Sequence, residues 1–308
     1  MTLKNHGVLL GLLFCFISAA FDVYVAFLTQ TISTMVVIFY CFISSATLFL
    51  AYALLKNKTS LLFKLKRDFA FVILANVSVL FNWGGLFYAL RYLEPAVVGV
   101  ASVACGPALT LIISAFDKES GKTGRIETVI SYLVLLSVGV MLYNSFIGDS
   151  GISSTTKEQR TLGIISVVLC ALGTVLYTIV SKKLFSRAWA VSEILATRNI
   201  VMIVLCVFFV LSSGASFGVT SNLVVPMMIL VVVGHLLPIY LIQKTIFHLS
   251  SIHVSLVLLT LPVFTLILQY LDSRVEFSAP SIAAIVIIVL LLGVLALHKI
   301  NAARRGLK

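Results

Sequence analysis

Three ionisable residues stand inside long apolar stretches of this 308-residue chain: Asp22, Arg198 and His235. A charged side chain at membrane depth is costly unless it is paired or faces water. Each is therefore a candidate for holding a proton, an ion or a charged ligand, set against a structural role in packing. Asp22 fits a proton or cation site, or a helix–helix hydrogen bond near one interface. Arg198 lies close enough to the start of its apolar run to snorkel to the surface, and Glu193 is not at the spacing that pairs neighbours on a helix. His235 precedes Pro238, so a titratable ring sits beside an expected helix break.

Other polar and aromatic residues fall into the same runs. Asn82 and Trp83 are followed by Gly84 and Gly85, which combines a polar amide, an aromatic wall and room for a close neighbour. Tyr88, Tyr24, Tyr177, Tyr240 and Gln243 are further candidates for a substrate-binding cavity. Arg91 and Glu94 bracket a short turn and read as a solvated pair or an outer gate. Pro107 and Pro262 read as kinks that let helices rock. Asp117 and Asp272 are expected to end helices. The five cysteines all lie in apolar runs without metal-ligand spacing, so they are read as packing residues. No phosphate-cradling glycine loop and no nucleophile with a nearby base is legible. No catalytic residue and no resident metal or cofactor is therefore expected, beyond coupling to protons.

The elements that must position these residues follow from composition. The chain is 60% hydrophobic and only 11% charged, against about 25% charged in a soluble domain. Each bilayer crossing takes roughly 20 apolar residues. The sequence predicts an all-α polytopic membrane protein with spans near 6–28, 33–55, 69–91, 94–116, 126–148, 162–184, 191–213, 223–245, 250–271 and 280–299. Lys56–Asp68 reads as a loop. Residues 149–161, rich in Gly, Ser and Thr, read as a linker. Lys4 and Ser18-Ala19-Ala20 imitate a cleavable leader, but the apolar run continues past Asp22 to Leu28, so it is expected to stay as the first span.

The net charge of +11 does not point to nucleic acid, because the basic residues lie between apolar runs. With the N-terminus inside, Arg91, Lys157, Arg160 and Arg274 fall outside and Arg198 falls within a span; every other Lys and Arg falls inside. This bias puts both termini in the cytoplasm and requires an even number of spans.

The fourth and ninth spans share a pattern. Pro107, Thr110, Leu111, Ile112 and Asp117 match Pro262, Thr265, Leu266, Ile267 and Asp272 at one constant offset. The halves, 1–148 and 162–308, thus read as a duplication. Five spans per half is odd, so the second half must be inverted. Inverted repeats are a mark of secondary transporters.

Tyr88-Ala-Leu-Arg91-Tyr92 closing the third span, the prolines of the fourth and ninth, and Gly-Val at 139–140 and 293–294 carry a resemblance. The chain resembles the drug/metabolite transporter superfamily in its ten-helix EamA-type form. Such domains often carry an arginine where Arg198 stands. They often end the fourth helix with Gly-Glu, where this chain has Phe116-Asp117. The resemblance implies transport of amino acids, nucleotide-like metabolites, drugs or quaternary amines.

The expected function is secondary active export of a small metabolite, an amino acid or related amphipathic compound, across the inner membrane by alternating access. Uptake by proton coupling or exchange is the alternative. An intramembrane enzyme would need an acid–base cluster, for which Asp117, Glu119 and Glu127 are the only candidates, and a non-transporting scaffold would lack a solute-sized cavity. The expected partners are a small-molecule substrate and the lipid bilayer, with no nucleic acid, in a monomer or homodimer.

Overall fold

The computed structural model of the protein describes residues 3–115, 125–152, 154–249, 251–276 and 278–305, and every regular element among them is helical. Asp117 and Glu119 lie outside the described residues. Among the described residues, seven helices are long and apolar enough to cross a bilayer: His6–Leu28, Thr34–Lys56, Phe69–Tyr92, Arg125–Ile147, Lys157–Ser186, Val191–Ser212 and Ser221–His248. Three shorter apolar helices accompany them: Pro95–Gly106, Thr260–Leu271 and Ala279–Leu295. Large apolar side chains such as Leu136, Phe208, Leu290 and Leu297 are turned outward. A surface so rich in exposed Leu, Val and Phe suits lipid.

Two boundaries differ from the sequence reading. The second helix, Thr34–Arg67, runs through the stretch read as a loop. Leu61 is buried there, and Lys64, Lys66 and Arg67 occupy the last turn, where positive charge complements the helix dipole. The sixth begins at Lys157, inside the stretch read as linker. Thr156 and Gln159 cap it reciprocally: the threonine oxygen accepts from the Gln159 N–H at 3.3 Å and the glutamine oxygen from the Thr156 N–H at 3.0 Å.

Four helical segments are interrupted. The third carries a π turn at Leu80–Gly84 and the eighth one at Leu230–Leu236. In the eighth, Pro238 supplies no N–H for the preceding turn, which disfavours a regular α ladder. The seventh is split into Val191–Thr197 and Ile200–Ser212. The ninth is split into Ser251–Leu258 and Thr260–Leu268, and Pro262 deprives the Leu258 carbonyl of its α-helical donor.

The helices of the first half pack on those of the second. The third and fourth lie against the sixth, the second against the seventh, the first against the eighth and ninth, and the fifth against the tenth. Inside lipid, helix association relies on close van der Waals packing, which small residues permit. Gly85 faces the backbone of Ser166 and Cys170, and Gly173 faces the backbone of Ser78 and Asn82. No side chain fits at either point.

At one end a charge cluster ties the second helix to the turn before the seventh. The Asp68 carboxylate is fully buried and accepts from Arg67, from Arg187 at 2.7 Å and from the Trp189 indole at 2.8 Å. Lys64 pairs with Glu193 at 2.7 Å and donates to the Ala188 carbonyl. Ala188 has a positive φ of 63°, and this clasp on its carbonyl helps hold the strained turn.

Gly173→Val is expected to lower stability by about 1–3 kcal/mol through overpacking, read as a fall in the melting temperature of the detergent-solubilised protein. Its cation and indole donors, the Arg67 hydrogen bond foremost, hold the Asp68 carboxyl well below the usual carboxylate range. A depressed value means that the stabilisation is present above the ordinary carboxylate pKa and is lost only as pH falls towards the lowered one. Asp68→Asn is thus expected to cost about 1.5–3 kcal/mol at neutral pH, with the wild-type clasp intact at pH 5. A melting profile that weakens between pH 7 and 5 in the wild type but not in the variant would contradict this.

Candidate functional site

A cavity of about 100 Å³ lies between the halves. The first helix contributes Phe14, Ser18, Phe21 and Asp22, and the third contributes Asn82, Trp83 and Leu86. The sixth contributes Cys170, Thr174, Tyr177 and Thr178, with Arg198 from the break in the seventh. Apolar side chains of the fourth, eighth and ninth helices close the remaining wall, with Ser102 among them.

Arg198 reaches this cavity because its helix is broken. Residues 198–199 form a turn, which leaves helical backbone groups without α partners. Asn76 of the third helix replaces them: its amide donates to the Thr197 carbonyl at 2.8 Å and accepts from the Val201 N–H at 3.1 Å. Asn199 donates to Ser45 of the second helix at 2.7 Å. Freed backbone in a membrane helix is tolerated only when groups are satisfied again in this way. The result fixes Arg198 with 1% exposure. Its guanidinium lies over the Tyr177 ring, 4.7 Å from the centroid, a cation–π contact. The Tyr177 hydroxyl donates to Gln243, which fixes the ring.

The cavity therefore holds a guanidinium and a carboxyl group with no ion pair between them. Asp22 is 3% exposed, and among the described residues it takes part in none of the ion pairs or hydrogen bonds. Arg198 Nε and Nη2 are buried without a hydrogen-bond partner. Arg198 does not snorkel to the surface, and Glu193 is engaged by Lys64 instead.

His235 lies outside the cavity wall. It is fully buried, with ring centroids of Phe42 at 4.6 Å, Trp83 at 5.0 Å and Phe21 at 6.5 Å, and neither ring nitrogen has a partner. Since Phe21 and Trp83 line the cavity, His235 stands one aromatic layer behind it. Gln243 stands behind Tyr177. Tyr24 and Tyr88 are half-buried outside the lining, and Tyr240 is partly exposed and stacks on Phe49 at 6.4 Å. Pro262 is buried beside the break in the ninth helix. Pro107 lies within the continuous helix Pro95–Ala115, and its side chain is outside the described set. Glu127 stands in the first turn of helix Arg125–Ile147, away from the cavity.

At the end opposite Asp68, Arg91 and Glu94 do not pair. Arg91 donates to Thr34 at 2.9 Å. Glu94 accepts from Gln269 at 2.9 Å and from the Gly151 N–H at 3.1 Å, while the Ala96 N–H donates back to Gln269 at 3.0 Å. Burial pushes the Glu94 carboxyl above its usual range, against the lowering effect of these donors. Asp272 pairs with Arg274 at 2.8 Å, and Arg274 also reaches the Arg91 carbonyl. This seals the end by joining the turn after the third helix to the end of the ninth.

Sequence reasoning named Tyr177 but missed Asn76 and the rest of the sixth-helix stripe. The signal was present: Cys170, Thr174, Tyr177 and Thr178 recur at helical spacing and give one face a polar character within an apolar span. Ser18 and Asp22 do the same on the first helix.

Residues 5–145 match the EamA-like transporter family. A solved crystal structure superposes on the chain with a TM-score of 0.62 at 15% identity, covering 97% of each chain, so the two share a fold. No curated protein matches the sequence.

Asn76→Ala is expected to leave the Thr197 carbonyl and the Val201 N–H unsatisfied, at about 1–3 kcal/mol each. Hydrogen exchange in a peptide spanning 195–203 should rise relative to the rest of the seventh helix. Unchanged exchange there would mean that the break is held by other contacts.

Proposed function

We propose that this chain, which matches the EamA-like transporter family over residues 5–145, is a secondary carrier that moves a small metabolite through the central cavity by alternating access. It is a multi-pass membrane protein. The seven long and three shorter apolar helices support a reading of ten spans in two inverted halves, 1–148 and 162–308, joined by a linker within 149–161.

Helix packing supports the inversion. Exchanging first with sixth, second with seventh, third with eighth, fourth with ninth and fifth with tenth turns the observed pairs into one another. Third-on-sixth becomes eighth-on-first, and fourth-on-sixth becomes ninth-on-first. Second-on-seventh and fifth-on-tenth map onto themselves. The two π turns fall in the third and eighth helices, which are counterparts under the same exchange.

The carrying observation is the cavity itself, shared by both halves and holding the unpaired Asp22 and Arg198. Buried polar groups without partners are unfavourable, and a solute that enters can complete them. Glu94 and Gln269 then serve as an outer gate. The charge bias supports a reading with both termini in the cytoplasm and the chain in an inner membrane. The direction read is export, driven by an ion gradient or the solute's own gradient. The EamA family is a transporter family, which favours a carrier over an intramembrane enzyme.

Purified protein in proteoliposomes with an imposed pH gradient should show flux or exchange of radiolabelled solutes from a broad metabolite panel. Asp22→Asn should flatten the dependence of flux on pH if Asp22 carries the coupling proton. Absence of flux and exchange for every solute would overturn the carrier reading, and an unchanged pH profile in the variant would remove Asp22 from coupling.

A further inference from the structure

We infer that Lys183, Arg187 and Arg67, grouped at the Asp68 end of the molecule, form a surface site for the phosphate of an anionic glycerophospholipid, with its acyl chains over Leu74 and Ile179. The Arg187 guanidinium lies over the Phe71 ring, 4.6 Å from its centroid, and the Lys183 ammonium lies 5.9 Å from the same centroid. One ring of the third helix thus gathers two cations from the end of the sixth. Arg67 joins them by donating to the Arg187 carbonyl at 2.8 Å. The buried Asp68 carboxylate accepts from both arginines. Three cations against one carboxylate leave this face with two positive charges, since Lys64 and Glu193 balance each other.

These cations keep donors to offer. Arg187 commits Nη1 to Asp68, and Arg67 commits Nε and Nη2. Their side chains stay 44% and 41% exposed. Lys183 is exposed and takes part in no ion pair among the described residues, whereas its neighbour Lys182 is consumed by the Ile246 and Leu249 carbonyls. Guanidinium groups match the oxygens of a phosphate. The surroundings point to a lipid phosphate in place of a free one. The third helix begins at Phe69 and the sixth ends at Ser186, so Leu74 and Ile179 each lie about one turn deeper in the bilayer than Phe71 and Lys183. Both are exposed. Basic groups above an apolar face at a helix end are the arrangement that holds an anionic headgroup. A choline headgroup brings its own cation to a face already in positive excess, so the site selects against it.

The test is titration of the purified, detergent-solubilised full chain with dioleoyl phosphatidylglycerol or dioleoyl phosphatidylcholine, with the first bound lipid read by native mass spectrometry. Phosphatidylglycerol is expected to bind about tenfold more tightly, given the two surplus charges. Lys183→Gln should weaken phosphatidylglycerol about fivefold and leave phosphatidylcholine unchanged. Lys183 has no part in the Asp68 clasp, so this variant keeps the fold. Lys56→Gln removes a charge from the second helix away from the cluster, and should leave both lipids unchanged. Equal binding of the two lipids by the wild type overturns the proposal, whatever the variants do. An unaltered preference in Lys183→Gln, or an equal loss in Lys56→Gln, shows diffuse attraction to a basic protein and also overturns it. Displacement of phosphatidylglycerol by millimolar inorganic phosphate would mark a site for the free anion and overturn the lipid assignment. Binding is read without flux, so failure here leaves the carrier reading standing.

Discussion

The Asn76 amide inserted into the break of the seventh helix is the interaction on which the site depends. One side chain from the first half accepts from the Val201 N–H and donates to the Thr197 carbonyl of the second half. In water such a break would be solvated at little cost. In lipid, unsatisfied backbone costs several kcal/mol. The break is therefore stable only while the third and seventh helices stay in register. Because the break is stable, Arg198 leaves the helix inward, over Tyr177 and into the cavity. A continuous helix would have carried the same residue on a surface set by its period alone.

That register is itself set by close packing. Gly85 and Gly173 let the third and sixth helices approach until their backbones touch, and the cavity opens beside this crossing. Asn82 and Trp83 from one helix then face Cys170, Thr174 and Tyr177 from the other. The two ends are held by unlike means. The Asp68 end uses fully charged pairs with partly exposed arginines. The Glu94 end combines a buried carboxyl whose partners are neutral donors with the Asp272–Arg274 ion pair.

The sequence made the apolar segments legible, because length and hydrophobicity alone set them. It also flagged Asp22 and Arg198, because an ionisable residue in an apolar run is an anomaly in any fold. What it could not supply was direction. Arg198 read equally as a snorkelling side chain, since its turn at 198–199 depends on Asn76, a residue far away in the chain. His235 was as anomalous as Asp22, yet it stands behind Phe21 and Trp83, and nothing local distinguishes a cavity wall from the layer behind it. Tyr240 and Tyr177 are alike in sequence context, but one stacks on Phe49 at the periphery and the other supports a guanidinium. The run from Lys56 to Arg67 looked like a loop because its charges hide a helix that continues beyond the apolar span.

Alternating access predicts that one cavity residue meets both aqueous compartments in turn. Ser18 is suited to report this, since it is small, lines the cavity and lies one helical turn from Asp22. A Ser18→Cys substitution in a background with the five native cysteines replaced, probed with a membrane-impermeant thiol reagent in right-side-out and inside-out vesicles, is the most direct measurement. The account predicts labelling from both sides. Labelling from one side only, under every solute and pH condition, would describe a fixed pit and contradict it.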